Sequence, residues 1–278
     1  MSLVYTYGIV RSADARPELL EGLQRIDGIG GAPLRLVADG PCAAVVTDVP
    51  ERDFAEEPLN ARLRDIDWLG PRAVLHQEAN AALGGRVSSL VPLSFGTIFR
   101  DDAGVARMLA GERAVLVARL DALAGREEWI AMLRRDDPVA EAALEGDSAP
   151  LDALRSEIAA APPGRAYLLG RRLGDTIRGE LRCRDGEADA RAESLLTAAG
   201  AQLYREPLVE NAGPGSSGSS GSGGAVGRYS ALVVTAEAGA LVAAAAAFAT
   251  EWSGRGYALE LSGPWPAYRF ATLAGAAP

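Results

Sequence analysis

The second half of the chain constrains its fold most, because it spells an ordered succession of strand and helix patterns. Trp129, Ala131 and Leu133 alternate with Ile130 and Met132, which predicts a strand apolar on both faces. Asp136-Asp137-Pro138 ends it, and a weakly ordered, acidic, proline-containing passage follows. Leu169, Leu173, Ile177 and Leu181 then recur at helical spacing. Ala192, Leu195, Leu196 and Ala199 extend that pattern beyond Gly186, as one long bent helix or two stacked ones would. Gln202 to Val209 and Tyr229 to Thr235 read as strands, Glu237 to Trp252 as a helix with a Leu241, Phe248, Trp252 stripe, and the segment from Tyr257 as a closing strand. The order β-α-β-β-α-β is that of the split βαβ, ferredoxin-like arrangement, an antiparallel sheet with two helices on one face. Gly213 to Gly224, GPGSSGSSGSGG, falls in its hairpin between the second and third strands. Flexible length is tolerated there, since each doubling of a loop costs only about 0.6 kcal/mol.

The first half predicts a second α+β domain, with a mixed or antiparallel sheet. Leu3, Tyr5, Tyr7 and Ile9 alternate with Val4, Thr6, Gly8 and Val10, again a strand apolar on both faces and so central in its sheet. A short helix from Pro17 to Arg25 follows. LRLVA and CAAVVTDV are joined by Asp39-Gly40, a strong hairpin signal. Asn60 to Leu83 has helical spacing interrupted at Gly70-Pro71, with Pro71 suited to a first turn. Residues 88–99, SSLVPLSFGTIF, read as a strand whose Pro92 points to a sheet edge or bulge. Asp101 or Asp102 can cap the next helix, which carries Val105, Leu109, Leu116, Leu120 and Leu123 on one face. The expected organisation is an N-terminal domain over 1–100, a connecting helix over 101–125 and the ferredoxin-like domain over 126–278.

Composition excludes several chemistries. The 278-residue chain has a net charge of −9, which argues against a phosphate-backbone partner. It contains no lysine, so Walker-type phosphate loops and Schiff-base catalysis are both ruled out. His76 is its single histidine, predicted to pack or cap locally on a helix, and any Ser-His or Cys-His pair would have to use it. No G-x-S-x-G occurs, and GIGG at 28–31 lacks the third glycine of a dinucleotide fingerprint. Glu56-Glu57, Asp101-Asp102, Glu127-Glu128 and Asp136-Asp137 are adjacent pairs whose side chains point apart, as caps and surface do. No catalytic, cofactor or metal residue is assigned. Cys42 and Cys183 stand far apart, which suits a reduced, cytoplasmic compartment. The longest apolar run, Ala240 to Ala249, is about half a membrane span, and no membrane association is expected.

Two features remain as candidate surfaces. In YALELSGPWPAYRF, residues 257–270, Pro264 and Pro266 stiffen the chain on either side of Trp265, and Tyr268 and Phe270 continue the strand alternation. This aromatic group packs either inside the protein, locking the C-terminal domain to the rest of the chain, or against a partner. Arg171, Arg178 and Arg182 share a helical face, either solvated or a dock for an acidic partner helix.

YTYGIV near the start, LVPLSFGTIF at 90–99, REEWIAMLRRD at 126–136 with GRAYLLGRR at 164–172, and ELSGPWPAYRF at 260–270 resemble the gas vesicle protein F/L family, GvpF/GvpL, in order along nearly the whole chain. Two positions depart from the family pattern: Ser94 stands where an arginine is usual before FGT, and Ala267 replaces the second proline of PWPPY. The resemblance implies two α+β domains, the C-terminal one a modified ferredoxin-like unit. It also implies a non-enzymatic, cytoplasmic accessory of gas vesicles that assists assembly by binding the shell protein GvpA and other Gvp accessory proteins. Contact or lock residues then come from Trp265, Tyr268, Phe270, Phe95, Phe99, Arg171, Arg178 and Arg182. The alternative is a small-ligand-binding or enzymatic protein that uses the ferredoxin-like sheet.

Overall fold

Strand β1, Ser2–Arg11, organises the first unit of the computed structural model, which describes residues 2–208 and 223–272. With apolar side chains on both faces, β1 is stable only inside a sheet. On one side it pairs antiparallel with β3 (Cys42–Pro50), from Ser2 opposite Pro50 to Arg11 opposite Cys42. β2 (Arg35–Asp39) lies outside β3 and joins it through the expected hairpin, with Gly40 at φ 56° in the left-handed region that the turn requires. The opposite side of β1 carries β4 (Leu90–Pro92) and β5 (Ile98–Phe99). The single strand expected over 88–99 is therefore two short ones. Gly96, at φ 87°, and a Thr97 N–H to Ser94 carbonyl bond of 3.3 Å turn the chain between them. Pro92 lies on the outermost strand of the order β2-β3-β1-β4, where its missing N–H costs no ladder bond.

Among the described residues, the α-helices of this unit are α1 (Pro17–Leu23), α2 (Glu51–Phe54), α3 (Glu56–Arg62), α4 (Ile66–Gly84), α5 (Asp102–Gly111) and α6 (Arg113–Leu123). Two differ from expectation. Pro71 lies inside α4 and not in its first turn, because Asp65 caps the helix earlier by accepting from the Asp67 and Trp68 N–H groups at 3.1 and 3.3 Å. The expected connecting helix over 101–125 breaks at Glu112, whose φ −98°, ψ 8° is not helical. Asp101 caps α5 through the Gly104 N–H at 2.7 Å. Val105, Leu109, Leu116 and Leu120 are all buried, so α5 and α6 belong to this unit's core instead of bridging two domains.

The second unit spans Trp129–Gly263 and is built on a sheet ordered β7-β8-β6-β9. In chain order its elements are β6 (Arg126–Asp136), α7 (Asp137–Ala142), α8 (Ala149–Ala160), α9 (Pro163–Ala198), β7 (Gln202–Arg205), β8 (Gly223–Val234), α10 (Gly239–Trp252) and β9 (Tyr257–Trp265). The first and third strands lie side by side in the centre; the second and fourth form the edges. Its core joins Leu133, Leu181, Ala192, Tyr229, Leu241, Phe248, Trp252 and Tyr257.

In this unit two readings change and one left open is resolved. The passage after Asp136 is helical: Asp136 accepts from the Val139 N–H at 3.2 Å, and Pro138 and Pro150 occupy first turns, where their missing N–H groups cost nothing. The 163–198 pattern is one helix of 36 residues. Strand β7 stops at Arg205, while Gly223 and Gly224, expected in the loop, begin β8. The rest of the glycine-serine tract, 213–222, lies outside the described residues. The division of the chain also differs from the expected one at its end, where the residues from Pro264 onward belong to the first unit.

Candidate functional site

Alternation along β1 puts Tyr5 and Tyr7 on one face, and helical period puts His76 and Asn80 on one face of α4. These two pairs meet in the buried centre of the first unit. The His76 ring stacks on Tyr7, with centroids 5.6 Å apart and planes 19° from parallel, and Tyr5 and Phe95 stand edge-on to it at 5.8 Å each. Tyr268, from the last described residues, closes the cluster at 6.1 Å.

Hydrogen bonds fix the protons. The Leu93 carbonyl, 3.1 Å from His76 Nε2, can only accept, so Nε2 carries the hydrogen. Nδ1 then accepts from the Tyr5 hydroxyl at 2.8 Å. That hydroxyl in turn accepts from the Gly96 N–H at 3.3 Å, and the Tyr7 hydroxyl accepts from the Ile29 N–H at 2.8 Å. The Asn80 side-chain amide donates to the Tyr268 hydroxyl at 3.0 Å and lies 3.2 Å from His76 Nε2. Gly8 makes room for it, since a Cβ there would come within 3.1 Å of Asn80 Oδ1 and 2.8 Å of Leu90 Cδ1.

Burial keeps this set uncharged. It lowers the His76 pKa to about 4 and raises those of Tyr7 and Tyr268 to about 12 and Tyr5 further still. At neutral pH the four groups form a bonded, neutral polar core that specifies one arrangement of β1, α4 and the chain end.

The structure brings two of the expected contact residues, Phe95 and Tyr268, together at His76. Phe99, half-buried on β5, faces Val4 across the ladder. The carbonyl of half-buried Phe270 accepts from Arg119 Nη1 at 3.3 Å. Nearby, the Arg269 N–H donates to Glu128 Oε2 at 3.1 Å. Trp265, expected to be packed, is 38% exposed, whereas Ala267 and Ala271 are buried. From Trp265 to Thr272 the buried side chains are thus these two alanines, while Tyr268 and Phe270 are half-buried. Arg171, Arg178 and Arg182 all lie exposed on α9, with Arg178 paired to Asp175. Sequence reasoning missed Tyr5, Tyr7 and Asn80, and gave His76 local partners only. The available signal was the Tyr5/Tyr7 alternation together with the i, i+4 spacing of His76 and Asn80.

Among the described residues no group of three or more His, Cys, Asp or Glu could hold a metal ion, and no helix is long and apolar enough to cross a membrane. The fold is that of a two-unit α+β protein with two antiparallel sheets. The sequence model described as "Gas vesicle synthesis protein GvpL/GvpF" matches residues 3–272, and the chain belongs to that family. Gas vesicle protein L of Streptomyces sp. (strain CB03234) is 42% identical over 127 residues, 46% of this chain and 46% of that protein. The chain thus aligns with just under half the length of that relative. Gas vesicle protein F of the same strain is 29% identical over 198 residues, 70% of this chain and 74% of that protein. Among solved structures, GvpF from Anabaena sp. PCC7120 superposes with a TM-score of 0.67 at 14% identity, covering 98% of this chain and 97% of that one. GvpF from Microcystis aeruginosa gives 0.64 at 14% identity, covering 98% and 99%. At that identity the two structures speak to fold alone.

Proposed function

We propose that this chain is a non-enzymatic, cytoplasmic accessory of gas vesicle formation that binds the main shell protein, GvpA, and other Gvp accessory proteins. The observation that carries the reading is the family match across residues 3–272, which takes in both units. The physical need is concrete: a shell subunit that turns an apolar inner face to a gas phase aggregates in water before it is assembled. A folded protein of net charge −9 that offers a limited apolar surface keeps such a subunit dispersed. The buried histidine cluster supports this reading, because its groups are neutral and turned inward, suited to holding a shape. Co-expression of the tagged chain with the shell protein tests it. Retention of the shell protein on the tagged chain is expected; its absence, with both proteins folded, overturns the proposal.

A further inference from the structure

Helix α9 buries one side and leaves the other with an unusual set of residues. Leu173, Ile177 and Leu181 supply its inner stripe against the core of the second unit, and Leu169, on the same stripe, is buried as well. At about 100° per residue, Tyr167, Leu168, Arg171, Arg172, Asp175, Arg178 and Arg182 fall within a sector of about 140° on the opposite side. All seven are exposed, Tyr167 at 70% and Leu168 at 65%. The inner stripe is complete without those two, so their apolar area serves no core among the described residues.

The charges on this face point the same way. It carries four arginines against one aspartate, in a chain of net charge −9. Asp175 pairs with Arg178; among the described residues, Arg171, Arg172 and Arg182 have no acidic partner. A merely solvated face in so acidic a protein would share its excess of carboxylates. Two large apolar side chains at one end of an arginine stripe about 17 Å long instead match a helix with acidic side chains flanking an apolar seam. Arginine adds bidentate recognition of carboxylates. Phosphate-dense partners fit less well, because the rest of the surface repels a nucleic acid or an anionic bilayer.

We propose that the outer face of α9, from Tyr167 to Arg182, is a docking surface for an acidic amphipathic helix of another gas vesicle protein. This inference rests on the function proposed above for the source of its partner, while the face itself is read from this chain alone.

The test uses the full chain, tagged, co-expressed with individual gas vesicle proteins. R171E/R178E/R182E and Y167S/L168S are compared with wild type after circular dichroism and thermal melts confirm that both fold. Because every altered side chain is exposed, only a small shift in melting is expected, from the lost Arg178–Asp175 pair and the like charges that replace it. At least one partner should be retained ten-fold less by both variants, be released from wild type as salt rises, and be recovered by the arginine-reversal variant when the glutamates of its own helix are changed to arginine. Should wild type retain vesicle proteins and both variants retain them equally, the docking face is wrong while the proposed function stands. Should wild type retain none, the proposed function itself falls. Variant-sensitive binding of phosphatidylglycerol vesicles or duplex DNA, or self-association seen by sedimentation, would overturn the acidic-helix partner.

Discussion

The Tyr5 hydroxyl stands 2.8 Å from His76 Nδ1 and ties strand β1 to helix α4 across 71 positions of sequence. In the neutral ring Nδ1 accepts this bond, whereas a protonated Nδ1 would have to donate to the hydroxyl instead. His76 is only 4% exposed, and burial holds its pKa at about 4 against an ordinary value of 6.5. Stability from this group is therefore present above pH 6.5 and is lost as pH falls toward 4, because the unfolded chain takes up the proton first. By the usual conversion the loss is about 2 kcal/mol at pH 5 and about 3 kcal/mol at pH 4. Urea unfolding of wild type and H76Q across this range isolates it, other titrations being common to both. The stability gap between the two proteins should close by that amount as pH falls; a gap independent of pH would show that the folded His76 is not depressed.

Tyr268 anchors the last described residues through its hydroxyl, to which Asn80 donates at 3.0 Å. Tyr268→Phe keeps the ring against His76 and removes one buried bond, at an expected cost of about 1 kcal/mol. Tyr268→Ala also removes the ring and should cost about 2 to 3 kcal/mol, below the range for a fully buried aromatic because Tyr268 is half-buried. In hydrogen exchange, the alanine variant should release the Arg269 and Ala271 amides, whose acceptors are Glu128 Oε2 and the Ala267 carbonyl. Unchanged protection in both variants would mean that the segment is held by other contacts.

Trp265 is 38% exposed, so its truncation has less to lose. Trp265→Ala is expected to destabilise by about 1 kcal/mol, well short of the 3 to 5 kcal/mol typical of a buried tryptophan. A chemical-denaturation midpoint settles the matter, and a cost above 3 kcal/mol would show that the indole is packed after all.

Strands apolar on both faces, the Asp39-Gly40 hairpin and the alternation of strands and helices in the second half were legible because each is a local pattern with its own period. The helices after Asp136 were not. Pro138 and Pro150 read as breakers although a proline is harmless in a first turn, and the buried Leu151 and Leu154 give α8 too few apolar positions to show a stripe. Pro71 misled in the opposite sense, because the Asp65 cap that starts α4 earlier looks like any surface aspartate. The cluster around His76 depends on contacts 71 and 188 residues apart, which no local spacing encodes. The exposed arginines of α9 were readable, since a helical face follows from spacing alone. Their neighbours Tyr167 and Leu168 were less so, as only the fold shows the inner stripe to be complete without them.

Gly256 offers the sharpest test of the second unit. Its φ of 81° lies in the left-handed region. A Cβ there would meet the Ala140 nitrogen at 2.6 Å and the Asp136 carbonyl oxygen at 2.9 Å. Both neighbours are backbone atoms at the start of α7, so neither can swing aside. The Gly256 carbonyl also accepts from the Asp136 N–H at 2.8 Å, which pins the turn before β9 to the end of β6. Gly256→Ala must move one of these elements as well as strain its own φ. It should destabilise the protein by 3 kcal/mol or more, the combined cost of backbone strain and overpacking being about that size. Gly84→Ala is the matched control, because a Cβ in the last turn of α4 meets nothing within 4 Å. Helix propensity there favours alanine by about 0.5 to 1 kcal/mol. Thermal melts should therefore move in opposite directions for the two substitutions, and a Gly256→Ala protein as stable as wild type would rule out the close approach of β9's turn to α7.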